Sequence, residues 1–161
     1  MLSKTGIPIL AQICSKFPSE SVLIHPKAII ECYEEIPCNP CTTSCPTKAI
    51  TINGNMNHCP EIDFSKCVGC GICVFSCPGL AIMIVEVKDN KAIFKIPYEM
   101  LPLPQKGEVW DAINRQGQII GPALIEKVSH SPVHNKTRLI QVQVDKALLY
   151  DFITIKEKTY E

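Results

Sequence analysis

The feature that most restricts this chain is the run Cys67-x2-Cys70-x2-Cys73-x3-Cys77-Pro78. At that spacing the first three thiolates lie on one tight loop that wraps a single inorganic cluster, and the fourth points elsewhere. Gly69 and Gly71, between the ligands, let backbone N–H groups come close to sulfur. The unit is also present twice. Ile30, Glu31, Cys38, Cys41, Cys45, Pro46, Ala49, Ile50 and Ile52 recur at one fixed offset as Ile62, Asp63, Cys70, Cys73, Cys77, Pro78, Ala81, Ile82 and Ile84.

Each unit reads as a short strand (28–31; 61–64), a loop of cysteines, a short helix opening near Cys41 or Cys73, and a returning strand (49–52; 81–87). The proline after the last cysteine stops each helix. The second returning strand continues through Asp89-Asn90 into 92–96 as a hairpin. Pro97, Pro102 and Pro104 then punctuate a connector, followed by strand-like runs at 108–113, 118–128 and 137–144. In the last of these, Ile140, Val142 and Val144 alternate with Gln141 and Gln143, so one face is apolar and the other polar. A helical turn is expected around 146–150, and Lys156, Glu157 and Lys158 read as a solvated end. The chain thus divides into a lead (1–25), a cysteine-dense centre (26–96) and a β module (97–161).

Composition narrows the function class. Lys plus Arg equal Asp plus Glu at 16 each, so there is no basic stripe for nucleic acid and no single-sign field to steer a diffusing partner. An apolar fraction of 46% argues for a packed core rather than disorder. No stretch approaches the roughly 18 consecutive apolar residues of a membrane span, and the start has no basic segment leading to a cleavage site, so a cytoplasmic protein is expected. All but one of the ten cysteines lie between Cys32 and Cys77, which in a reducing compartment points to metal rather than disulfides.

The two units resemble the dicluster ferredoxins of bacteria over residues 26–96. The resemblance implies an α+β fold: a ferredoxin-like, pseudo-twofold βαβ repeat binding two iron–sulfur clusters, here followed by a small antiparallel β module. In such proteins the fourth cysteine of each run ligates the other cluster. Carried over, Cys67, Cys70, Cys73 and Cys45 make a complete [4Fe–4S] set. The first run departs from the pattern, because Glu35 stands where its opening cysteine belongs. Cys38, Cys41 and Cys77 match three ligands of the second cluster. The fourth is Cys32, Glu35 or Cys59, with Cys32 favoured as the nearest soft ligand. A three-cysteine site would hold [3Fe–4S] instead. Asn39-Pro40 in place of Gly71-Ile72 alters the hydrogen bonding around this second site.

Competing readings are weaker. A zinc ribbon needs four ligands per ion and has no use for this cadence. Cys14, in an apolar lead, is expected to be an inert buried thiol, and Cys59 a loop thiol. His130 and His134 flank Ser131-Pro132, which favours a loop over a helical ligand pair. Trp110 and Tyr98 are expected to pack rather than relay electrons. Gly69-x-Gly71 lacks the third glycine and the strand context of a dinucleotide loop.

No general base, nucleophile or second cofactor site is visible, so electron transfer is the expected role. The truncated first run Pro37-Cys38-Asn39-Pro40-Cys41, the full second run and the β tail resemble the small ferredoxin subunits of FAD-dependent amino-acid or amine dehydrogenases of anaerobes, of the proline dehydrogenase type. That resemblance implies a flavoprotein partner in a hetero-oligomer. A free soluble ferredoxin with an appended β domain is the alternative.

Overall fold

A computed structural model describes residues 2–158; the side chain of His134, and with it the expectation for a His130–His134 pair, lies outside the described residues. Among the described residues, nine strands and three short α-helices follow one another as α1 (Leu10–Lys16), β1 (Lys27–Ile30), α2 (Pro40–Ser44), β2 (Ile50–Thr51), β3 (Glu61–Ile62), α3 (Ile72–Ser76), β4 (Ile82–Lys88), β5 (Lys91–Tyr98), β6 (Val109–Asn114), β7 (Ile119–His130), β8 (Arg138–Asp145) and β9 (Phe152–Lys156). Seven strands form one antiparallel sheet in the order β1-β4-β5-β8-β7-β6-β9, and β2 pairs with β3 apart from it.

The burial patterns explain where each strand lies. In β5 and β8 buried residues alternate, as expected for strands with one face in a core. In β1 and β4, Ala28-Ile29-Ile30 and Ile82-Met83-Ile84-Val85 are buried without a break, so these strands are covered on both faces. One face joins a core shared by every strand of the large sheet, from Ile29 and Val85 through Phe94 and Val142 to Ile125, Ala112 and Phe152. The opposite face, carrying Ala28, Ile30, Ile82 and Ile84, packs against the cysteine-bearing segments.

The large sheet curls on itself. Phe94 on β5 and Phe152 on β9 stand four places apart in the strand order, yet their rings are 4.6 Å apart. Breaks in register at Ala112/Ile113, Ile113/Asn114 and Ile125/Lys127 supply the extra bend. The sheet also runs across position 97 without interruption: β5 pairs with β8 from Lys91↔Asp145 to Tyr98↔Arg138. The core is therefore common to residues on both sides of that position.

A buried ion pair ties the curled sheet together. The Arg115 and Glu31 side chains are only 7% and 8% exposed, and their second contact, Arg115 Nε to Glu31 Oε2, is 2.8 Å. Arg115 Nη1 also donates to the Tyr150 carbonyl at 2.7 Å. The turn after β6 is thus fastened both to the end of β1 and to the turn before β9.

Several details depart from the sequence reading. Cys14 is exposed rather than buried, because on α1 it is Ile13, and Phe17 just past the helix end, that turn inward. The α1 helix and β9 were not anticipated as elements, and Lys156 of the supposed solvated end belongs to β9. Tyr98 and Trp110, by contrast, pack as expected: both are buried and meet edge to face at 6.2 Å. Among the described residues no helix is long and apolar enough to cross a membrane.

Candidate metal centre

The cysteine loops take their shape from steric requirements that the sequence meets locally. Gly69 has φ +65°, and a Cβ there would stand 2.5 Å from the Pro26 carbonyl oxygen, so only glycine lets this loop lie against the start of β1. Lys27 Nζ then donates to the Cys67 carbonyl at 2.7 Å, and the Ala28 N–H reaches Cys67 Sγ at 3.4 Å. Gly71, at φ +85°, opens α3, and Pro40 occupies the first turn of α2, where its missing N–H costs nothing. Both helices end just before a cysteine followed by proline.

Equivalent positions in the two units behave alike. Lys48 and Leu80 both have φ +52°. Their N–H groups bond to the Cys45 and Cys77 carbonyls at 3.2 Å in each case. The Ala49 N–H donates to Cys45 Sγ at 3.3 Å, and the Ala81 N–H to Cys77 Sγ at 3.4 Å. Glu31 N–H bonds to the Ala81 carbonyl and Asp63 N–H to the Ala49 carbonyl, both at 2.8 Å.

The eight cysteines singled out by spacing gather at two places. Cys45, Cys67, Cys70 and Cys73 line one apolar cavity, together with Ala49 and Ile84. Cys32, Cys38, Cys41 and Cys77 line a second, together with Ile30 and Ile36. Each cavity receives three cysteines from one helix-bearing loop or its flank and one from a distant part of the chain. Glu35 is exposed and lines neither. Cys59 is half-buried at the end of the loop between β2 and β3, and its neighbours His58 and Pro60 line the second cavity. Among the described residues, no three His, Cys, Asp or Glu side chains converge closely enough for a single metal ion.

Electrostatics distinguish the thiols. Burial, followed by the neighbouring Cys67, Cys70 and Cys45, pushes Cys73 up to about 12. Burial and then Cys77 and Cys38 push Cys41 up to about 11. Cys32 is raised chiefly by burial, then by Cys59 and Cys77, against the lowering effect of Lys16. For Cys45, burial works upward but is outweighed by hydrogen bonds from the Thr47 side chain and the N–H groups of Ala49, Ile50 and Thr47, so its thiol is lowered. Without metal, Cys41 and Cys73 are therefore protonated near neutrality, and a ligand that needs thiolates must displace those protons. Buried thiols, apolar walls and N–H···S bonds suit an iron–sulfur cluster, for which such bonds set the potential.

Lys16 and Glu31 bracket Cys32. Lys16 Nζ donates to the Cys32 carbonyl at 3.1 Å and stands 5.3 Å from the centre of the Tyr33 ring. Lys16 lies far outside the cysteine unit, so no local signal marked this role of α1.

Comparison with known proteins bears on the same region. Residues 60–83 match the model of the 4Fe-4S binding domain. This stretch is similar to ferredoxin-type 4Fe–4S domains. A ferredoxin-type protein NapF of Haemophilus influenzae is 38% identical over 58 residues, 35% of this chain and 33% of that protein. The polyferredoxin-like subunit of an aliphatic sulfonate oxidoreductase from Pyrococcus furiosus is 33% identical over 77 residues, 48% of this chain and 40% of its own length. Subunit I of an F(420)H(2) dehydrogenase from Methanosarcina mazei is 38% identical over 53 residues, 33% of this chain and 30% of its own. The chain thus spans well under half the length of these curated relatives. No solved structure gives a significant match.

Proposed function

We propose that the chain is an iron–sulfur electron-transfer subunit that relays single electrons between a flavin-dependent dehydrogenase subunit and an acceptor. The observation that carries this reading is the sorting of eight cysteines into two apolar cavities of four. Cys67, Cys70, Cys73 and Cys45 hold one [4Fe–4S] cluster. Cys38, Cys41, Cys77 and Cys32 hold the second, with Cys32 replacing the cysteine that Glu35 displaced. The matched backbone bonds at Glu31/Asp63, Lys48/Leu80 and Ala49/Ala81 support a pseudo-twofold βαβ arrangement of the two units.

Bound clusters supply one-electron chemistry. The residues of this chain hold them, keep water from Cys41, Cys67 and Cys73, and aim N–H groups at Cys45, Cys67 and Cys77. Cys70 is exposed, and its neighbours Val68 and Ile72 are 60% and 39% exposed, which gives electrons an apolar rim at which to enter or leave. The names of the three relatives, one a ferredoxin-type protein and two subunits of oxidoreductases, support a role inside a larger complex. A balanced surface charge suits permanent docking better than diffusional encounter.

The test is anaerobic purification of the native protein from its source, with identification of copurifying chains. A flavoprotein in fixed proportion is expected. A lone monomer carrying both clusters would instead favour a free ferredoxin.

A further inference from the structure

The second cavity has more thiols at hand than a cubane requires. Its four lining cysteines are Cys32, Cys38, Cys41 and Cys77, and a fifth, Cys59, lies between two residues, His58 and Pro60, that also line it. The loop that carries Cys59 is held rather than free. The pairs Ile50↔Ile62 and Thr51↔Glu61 fix its two ends. Asn53 Nδ2 donates to Glu61 Oε2 at 2.9 Å, His58 N–H donates to the Asn55 carbonyl at 3.0 Å, and the His58 ring bonds the Asn53 carbonyl at 2.8 Å. Residues 53–58 are exposed, whereas Cys59 and Pro60 turn back to half-buried positions.

We infer that Cys59 is a reserve ligand for the second cluster, placed at the wall of the cavity that Cys32 lines so that either thiol can fill the fourth position. This deepens the two-cluster reading and rests on it. Cys32 is the resident ligand because it lines the cavity itself and its backbone is fixed by Lys16 and by the Glu31–Arg115 pair. Cys59 sits at the end of a loop whose residues 53–58 are exposed and belong to neither core. When Cys59 replaces Cys32, one iron–sulfur bond breaks and one forms, and the proton of Cys59 passes to Cys32. Charge, proton count and oxidation state are unchanged, so no oxidant or reductant is needed. The arrangement also accounts for a first unit that works without a cysteine at Glu35.

The test uses the full chain, purified anaerobically as wild type, Cys32→Ala, Cys59→Ala and the double variant. Iron and acid-labile sulfide content, low-temperature EPR, and mass spectrometry after iodoacetamide treatment of the folded protein are compared. Both single variants are expected to keep the wild-type iron content. Cys59 is expected to be alkylated in wild type and protected in Cys32→Ala. The double variant alone is expected to lose iron from the second site and show a three-iron EPR signal. If Cys32→Ala already shows that signal, with Cys59 still alkylated, the inference is overturned while the two-cluster reading stands. A wild-type chain that never holds a second cluster overturns both. Should the alanine variant fail to accumulate, Cys32→Ser with and without Cys59→Ala carries the same comparison: protection of Cys59 in Cys32→Ser supports the inference, and unhindered alkylation there contradicts it.

Discussion

At the scale of single residues, the cysteine loops depend on positions where one atom too many would break the loop. Gly69 combines a left-handed backbone with a Cβ direction that runs into the Pro26 carbonyl at 2.5 Å. Gly69→Ala is expected to cost about 1–3 kcal/mol from the backbone conformation, with a further loss as the loop is pushed off β1. It should diminish the EPR signal of the cluster nearest Cys67 before that of the other. Gly79→Ala is the control, since nothing stands within 4 Å of its added carbon. Thermal melts and EPR on the two variants decide the matter: equal behaviour would mean that the approach of the cysteine loop to Pro26 is not required. The same scale explains the misreading of Cys14. Apolar neighbours suggested burial, but on α1 the inward positions are fixed by Ile13 and, one turn on, Phe17.

At the scale of elements, much of the architecture was legible because the signals were local. Helices α2 and α3 start at a glycine or proline and stop before Cys-Pro, and the alternation of Ile140, Val142 and Val144 with Gln141 and Gln143 marks β8 directly. The elements that escaped notice are those whose reason is distant. The strand β9 is five residues long and is defined by its pairing with β6 and by the contact of Phe152 with Phe94. Likewise, Cys32 reaches the second cavity through a setting built by α1 and the turn after β6, neither of which carries any cysteine signature that points there. That setting can be tested. Arg115→Ala leaves Glu31 charged and buried, which is expected to cost about 3–5 kcal/mol. Replacing both partners, Arg115→Leu with Glu31→Leu, should recover much of the loss. Urea titrations of the wild type and the two variants measure it, and a cost for Arg115→Ala within experimental noise would show that the pair does not hold the sheet edges.

At the scale of the whole molecule, two cores meet across β1 and β4. The larger is lined by all seven strands of the curled sheet and by α1; the smaller joins Ile30, Val74, Ile82 and Ile84 to Cys41, Cys67 and Cys73. The smaller core is built partly from the proposed ligands, so its stability should depend on the clusters, whereas the larger has aromatic and aliphatic packing of its own. Removing iron by anaerobic chelation is therefore expected to abolish amide-exchange protection in α2, α3 and the loops around them, while β5, β7 and β8 stay protected. Simultaneous loss of protection throughout the chain would show that the two cores are a single cooperative unit. The most direct test of the central claim is iron, zinc and acid-labile sulfide analysis of the anaerobically isolated chain, with EPR after dithionite reduction. Two interacting reduced cubanes, with iron and sulfide in equal amounts, are expected; zinc in place of iron, or the absence of inorganic sulfide, would contradict it.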